Sequence, residues 1–243
     1  MEALWKTTPA DLALSPDRVD IWRTRIELSD AAVEEYFALL SRHERDRANR
    51  FTFPGKRREY IVTRGLLRHR LGRLLATAPE SIKLEYGDRG KPCYAGKWRE
   101  HAINFNVSHS HGMGLIAITL DREIGVDVEK IRLQVDFEKL AERYFSPGEA
   151  LALRAVAPEQ RAAAFYACWT RKEAFVKALG KGIAFGLAEF SVSIDPGEPH
   201  PSLTTHWDRH AAEEWSLLSL DVDSEYLAAL AVAGNGVEVR CWE

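Results

Sequence analysis

The sequence predicts a mixed α/β chain of the α+β kind, in two halves of similar element order. Three observations predict it. Strand-like apolar runs occur along the whole chain, two long stretches carry helical periodicity, and each of these is followed by several strand-like runs. A length of 243 residues suits one large domain or two small ones. The element order divides it into a half spanning 1–122 and a half spanning 123–243. The similarity of the halves lies in element order alone, since no residue-level repeat accompanies it.

VDIWRTRIEL (19–28) reads as a strand with Trp22, Thr24, Ile26 and Leu28 on one face. Ser29 caps a short helix carrying Val33, Phe37 and Leu40. Pro54 opens a long helix over 54–76, with Tyr60, Leu67, Leu71 and Leu74 on its apolar side. YGDRGKP (86–92) is turn-rich, and INFNVSHS (103–110) is a strand ending in polar residues. GLIAITL (114–120) and EIGVDVE (123–129) read as a hairpin turning at Asp121 and Arg122. In SPGEA (146–150), Ser146, Pro147 and Glu149 make a capping box. A long helix over 159–179 ends at Gly180, and strands follow at 188–194, 214–220, 225–232 and 236–242.

Composition is that of a globular protein, with 46% apolar and 28% charged residues. Three cysteines without a CxxC pair argue against a disulfide framework or structural zinc, and they suit a reducing, cytoplasmic compartment. The first residues, MEALWKTTPA, lack the pattern of a signal peptide, and the longest apolar runs are too short to span a bilayer. The net charge of −3 conceals segregation: residues 42–73 hold eleven Lys/Arg against three Asp/Glu, while the remainder holds 22 against 33. A basic stretch of this kind is either an anion-binding surface or a solvated helix face.

Within GVDVEK (125–130), Asp127 and Glu129 sit two residues apart and so share one strand face. In WTRKEAFVK (169–177), Trp169, Glu173 and Lys177 form one helical stripe with Lys172 on its flank. Taken singly, each has an ordinary explanation. Glu173 and Lys177 make a common exposed ion pair, and Asp127 and Glu129 suit the wet face of an edge strand. Together, three carboxylates on two elements supply the hard oxygens that magnesium prefers, and the lysines supply charge for phosphate.

The pair GVDVEK and WTRKEAFVK resembles the signature of the 4′-phosphopantetheinyl transferases. RGKP (89–92), FNVSHS (105–110), RYFSPGE (143–149) and GKGI (180–183) resemble the larger, surfactin-synthetase-activating type, in matching order from about Arg42 to Phe190. The resemblance implies a monomeric pseudo-dimer, each half a long helix packed on a mainly antiparallel sheet. It implies transfer of the phosphopantetheine arm of coenzyme A to a serine of an apo acyl or peptidyl carrier protein. Magnesium, or manganese in its place, would be the metal.

By the same resemblance Asp127, Glu129 and Glu173 are the metal-binding acids. Glu173 is also the general base, unless a metal-activated water takes that role. Lys177 and Lys172 are pyrophosphate cations, and Trp169 orients its helix. Ser108 and His109 contact phosphate, Gly90, Lys91 and Pro92 border adenine, and Arg47 and Arg58 meet the 3′-phosphate. Glu44 stands where a family lysine is expected, so that contact passes to Arg45 or Arg47. Glu149 is either a further metal-site glutamate or only a cap. The basic first half is a general docking surface for an acidic carrier.

Two other classes use similar residues. A metal-dependent nuclease places lysine two residues after its second strand acid, whereas that position here is Ile131 and Lys130 comes one residue earlier. A nucleic-acid-binding module accounts for Phe51, Phe53 and Tyr60 among the arginines, but leaves the three carboxylates unexplained. The transferase reading expects neither a nucleic-acid nor a membrane partner.

Overall fold

The computed structural model describes residues 5–87, 91–94, 96–98, 100–182, 185–208 and 210–243, with the backbone alone at Lys97. In chain order the first elements are β1 (Arg18–Arg25), α1 (Asp30–Ala38), α2 (Arg42–Asn49), α3 (Pro54–Leu75), β2 (Leu84–Tyr86), β3 (Pro92–Tyr94), β4 (Lys97–Trp98), β5 (His101–Ser110) and β6 (Met113–Leu120). Then come β7 (Ile124–Lys130), α4 (Phe137–Tyr144), α5 (Pro147–Ala155), α6 (Pro158–Ala178), β8 (Phe190–Val192), β9 (Leu203–Thr205), β10 (Trp215–Leu220), β11 (Tyr226–Ala233) and β12 (Glu238–Trp242). The chain forms two compact units, one of residues 5–121 with 239–243 and the other of residues 122–238.

The first unit is built on a five-stranded sheet in the order β12-β1-β6-β5-β4. β6 is buried along its whole length, as its unbroken apolar run requires of a central strand. α3 packs on β5 and β6, burying Leu66, Leu67 and Leu71 against them. Its N-terminus is prepared by Pro54, and its C-terminus by Ala76 in the left-handed region at φ 48°. β2 and β3 form a separate small hairpin that pairs Tyr86 with Pro92.

Two expectations need correction. β6 and β7 are not a hairpin: β6 pairs with β1 and β5, whereas β7 pairs with β11 in the other unit's sheet. The true hairpin joins β5 to β6 through His111 and Gly112, both at positive φ as a tight two-residue turn demands. The final strand also leaves the second half. β12 joins the first unit's sheet, where Arg240 ion-pairs with the fully buried Asp20 at 2.9 Å and Trp242 donates to the same carboxylate at 2.8 Å.

The second unit is a three-stranded antiparallel sheet, β10-β11-β7, crossed by α6. α5 begins with the expected capping box between Ser146 and Glu149, and Gly180 beyond α6 takes a left-handed φ of 65°. Gly125 on β7 brings strand and helix together: a Cβ there would stand 2.0 Å from the carbonyl oxygen of Ala174 and 2.4 Å from the amide nitrogen of Ala178. Helix backbone therefore lies directly on the strand face that carries Asp127 and Glu129.

Candidate active site

Because α6 touches β7 at Gly125, its next side chains fall against the strand's carboxylates. Lys177 Nζ stands 2.6 Å from Asp127 Oδ1 and donates to the Val126 carbonyl at 3.2 Å. Asp127 pairs across the sheet with Ala229, and Glu129 with Leu227, so both acids have small or apolar neighbours on β11. Asp127 is 4% exposed and Glu173 7%. Burial pushes the Glu173 carboxyl from an ordinary 4.5 up to about 7, helped by the charges of Asp127 and Glu129 and opposed by Lys177.

These residues share one electrostatic neighbourhood, although among the described residues no three His, Cys, Asp or Glu side chains are already gathered as a metal cage. The donor set nonetheless matches a hard divalent cation in kind, being carboxylate only. Glu173 Oε1 is buried without a hydrogen-bond partner, an arrangement that is costly unless a proton or cation occupies it.

The flanking residues divide differently from the expectation. Lys172 is fully buried, and its ammonium ion-pairs with Glu149 Oε2 at 2.7 Å and donates to the carbonyls of Leu187 at 2.8 Å and Phe190 at 2.6 Å. Three acceptors use all three of its protons, so Lys172 is an internal tie and not a pyrophosphate contact. Glu149 is equally committed: its other oxygen accepts the Val192 amide at 2.7 Å, and Oε2 accepts the Ser146 amide at 2.8 Å. That makes it a cap and a buried counter-ion. Trp169 packs among Tyr144, Phe145 and Phe165, orienting its helix as expected.

In the first unit His109 lies near the end of β5, and its Nδ1 stands 3.2 Å from Glu59 Oε2 on α3. Lys56 donates to the same oxygen at 2.8 Å. The His109 ring beside it, more than Lys56, holds the Glu59 carboxyl down to about 2 against the effect of burial. Glu59 escaped sequence reasoning; its only signal was an acid closing the basic run Lys56–Arg58. Ser108, next to His109, is buried.

The arginines are dispersed. Arg47 is exposed on α2 with its guanidinium 5.4 Å from the Tyr60 ring centre. Arg58 donates to the Leu28 carbonyl at 2.5 Å and ion-pairs with Asp30, so α1 already claims its charge. Arg45 donates to the Ala38 carbonyl at 2.7 Å. Glu44 serves α2 itself: it completes a capping box with Ser41, and it ion-pairs with Arg68 at 2.6 Å while almost fully buried. The capping box was readable in SRHE (41–44). Lys91 and Pro92 are half-buried at the start of β3, and Gly90 lies outside the described residues.

Comparison with known proteins agrees with this geometry. Residues 123–231 match the model of the 4′-phosphopantetheinyl transferase superfamily, and residues 27–120 match that of the 4′-phosphopantetheinyl transferase N-terminal domain. The chain is 39% identical over 242 residues to the 4′-phosphopantetheinyl transferase HetI of Nostoc sp., covering all of this chain and 99% of that one. It is 30% identical over 222 residues to a 4′-phosphopantetheinyl transferase of Bacillus subtilis, covering 89% and 94%. It is 39% identical over 142 residues to the 4′-phosphopantetheinyl transferase AcpT of Escherichia coli K12, covering 58% and 65%. With both halves matched and a relative aligned from end to end, the chain belongs to the 4′-phosphopantetheinyl transferase superfamily.

Proposed function

We propose that the protein moves the 4′-phosphopantetheine arm of coenzyme A onto a serine hydroxyl of an apo acyl or peptidyl carrier protein. The serine oxygen bonds to the β-phosphorus, the bond from that phosphorus to 3′,5′-ADP breaks, and the serine proton passes to a base. The observation that carries this reading is the convergence of Glu173 and Lys177 on Asp127, with Glu173 pushed up to about 7. A carboxyl with that proton affinity is suited to accept the serine proton near neutrality.

Asp127, Glu129 and Glu173 are the residues that would hold a magnesium ion. When bound, it would neutralise charge on the pyrophosphate and the departing 3′,5′-ADP. Lys177 binds the pyrophosphate, exchanging its present partner Asp127 for phosphate oxygens. In the first half, residues 1–122, His109 and Ser108 take phosphate, Lys91 and Pro92 border the adenine, and Arg47 is the arginine left most open to the 3′-phosphate. Residues 123–243 supply the metal and catalytic groups. The protein acts as a cytoplasmic monomer in this reading, in keeping with three free cysteines and with no described helix long and apolar enough to cross a membrane.

The test is direct. Incubation with coenzyme A, magnesium and a panel of purified apo-carriers should add one phosphopantetheine to at least one carrier, read by intact mass. No mass gain on any carrier, together with salt-sensitive DNA binding, would favour the nucleic-acid module instead.

A further inference from the structure

We infer that Glu59 is the positioning residue for His109: its carboxylate fixes the imidazole through Nδ1, so that Nε2 is the atom presented to a phosphate of coenzyme A. The inference rests on the reading of His109 as a phosphate contact and deepens it.

The geometry begins on β6. His109 pairs across the sheet with Gly114, and a Cβ at Gly114 would stand 2.9 Å from Thr63 Cγ2 and 3.1 Å from Thr24 Cγ2. The missing side chain lets α3 settle low on the sheet beside His109. Glu59 lies one turn before Thr63, whose hydroxyl donates to the Glu59 carbonyl at 2.7 Å and ties the two together. The Glu59 carboxylate thus arrives 3.2 Å from His109 Nδ1. The Glu59 side chain is 11% exposed, whereas the His109 side chain is 32% exposed. The carboxylate is therefore the inner partner and the ring the outer one.

A phosphate oxygen accepts, so the nitrogen facing it must carry hydrogen. If Nδ1–H is directed to Glu59, the ring that bonds both anions is the imidazolium, with Nε2–H aimed outward. The low proton affinity of Glu59 keeps that carboxylate charged across the working range. Lys56 donates to the same oxygen at 2.8 Å and restrains its rotation. A histidine without this brace would divide its protons and rotamers among arrangements that do not meet phosphate.

The ring can be read without ligand. Long-range nitrogen–proton correlation spectra of the ¹⁵N-labelled protein at alkaline pH report which ring nitrogen keeps its proton, with His109→Ala assigning the signal. Nδ1–H is expected in the unmodified protein and in Glu59→Gln, whose amide oxygen still accepts. In Glu59→Ala the proton should move mostly to Nε2. Calorimetry on the same proteins should show Glu59→Ala binding coenzyme A about tenfold more weakly. It should also lose most of the preference for coenzyme A over 3′-dephospho-coenzyme A, with Glu59→Gln between, and add nothing in a His109→Ala background. An unchanged ring proton in Glu59→Ala overturns the positioning role. A moved proton with unaltered affinity in both Glu59→Ala and His109→Ala upholds the positioning and removes the phosphate assignment instead.

Discussion

Lys177 Nζ stands 2.6 Å from Asp127 Oδ1, reaching it from one turn beyond Glu173 on the same helix face. A single cation thus neutralises the strand acid that most strongly raises the proton affinity of Glu173. Removing Asp127 should disturb both. Asp127→Ala is expected to lower turnover at least a hundredfold at saturating magnesium while circular dichroism stays unchanged. The loss of its charged hydrogen bond should cost about 1–3 kcal/mol in denaturant melts. Near-normal turnover in this variant would remove Asp127 from the site.

Glu173 predicts a pH dependence of stability in the chelator-treated protein. Folded Glu173 keeps its proton up to about pH 7, whereas the unfolded chain releases it near the ordinary 4.5. Between those values the folded state binds more protons, so this group makes stability fall as pH rises, and the full cost is reached above pH 7. Glu173→Gln lacks the titration. It should gain about 2 kcal/mol on the unmodified protein between pH 5 and pH 8, an order-of-magnitude figure from the shift. Turnover should fall by about a hundredfold or more, because the amide accepts no proton. Parallel stability profiles for the two proteins would show that the carboxyl is not held protonated.

The parts legible in the sequence were those whose cause is local. SPGE (146–149) carries its cap within four residues, and the stripe of Glu173 and Lys177 follows from helical spacing alone. Strand partners were not legible. β6 and β7 look alike as neighbours around Asp121, whether they share a sheet or diverge into two, and only long-range pairing decides. β12 is paired within a sheet that begins more than two hundred residues earlier, a contact with no local sign. The present partners of Arg58 and Lys172 were not legible for a related reason: a charge looks available until its acceptors are known, and theirs are Asp30, Leu28, Glu149, Leu187 and Phe190.

Gly125 should tolerate no side chain. The atoms a Cβ would strike are helix backbone on α6, at 2.0 Å and 2.4 Å, and neither can swing aside as a side-chain end could. Gly125→Ala is expected to destabilise the protein by about 3 kcal/mol. Any folded fraction should show impaired transfer, because lifting α6 moves Glu173 and Lys177 away from Asp127. A melting temperature within a degree of the unmodified protein would mean that α6 does not lie this close to β7.

Two lysines five residues apart on α6 should fail in different ways. Lys172 is sealed beneath the helix on Glu149 and two carbonyls, so Lys172→Ala leaves a buried carboxylate and two buried acceptors unpaired. The expected cost is about 3–5 kcal/mol. Lys172→Met, which fills the space but keeps the unpaired charge, should recover only the packing part of that loss. Coenzyme A affinity per folded molecule should barely change in either variant. Lys177 is partly open and has Asp127 as its charged partner, so Lys177→Ala should cost less stability, about 1–2 kcal/mol. It should instead weaken coenzyme A binding about tenfold or more, through loss of a charged contact to phosphate. Calorimetric affinities set beside denaturant midpoints separate the two outcomes. If Lys172→Met weakened coenzyme A binding as much as Lys177→Ala while leaving the midpoint in place, the buried tie would be the wrong account of Lys172, and its ammonium would have to reach the phosphates after all.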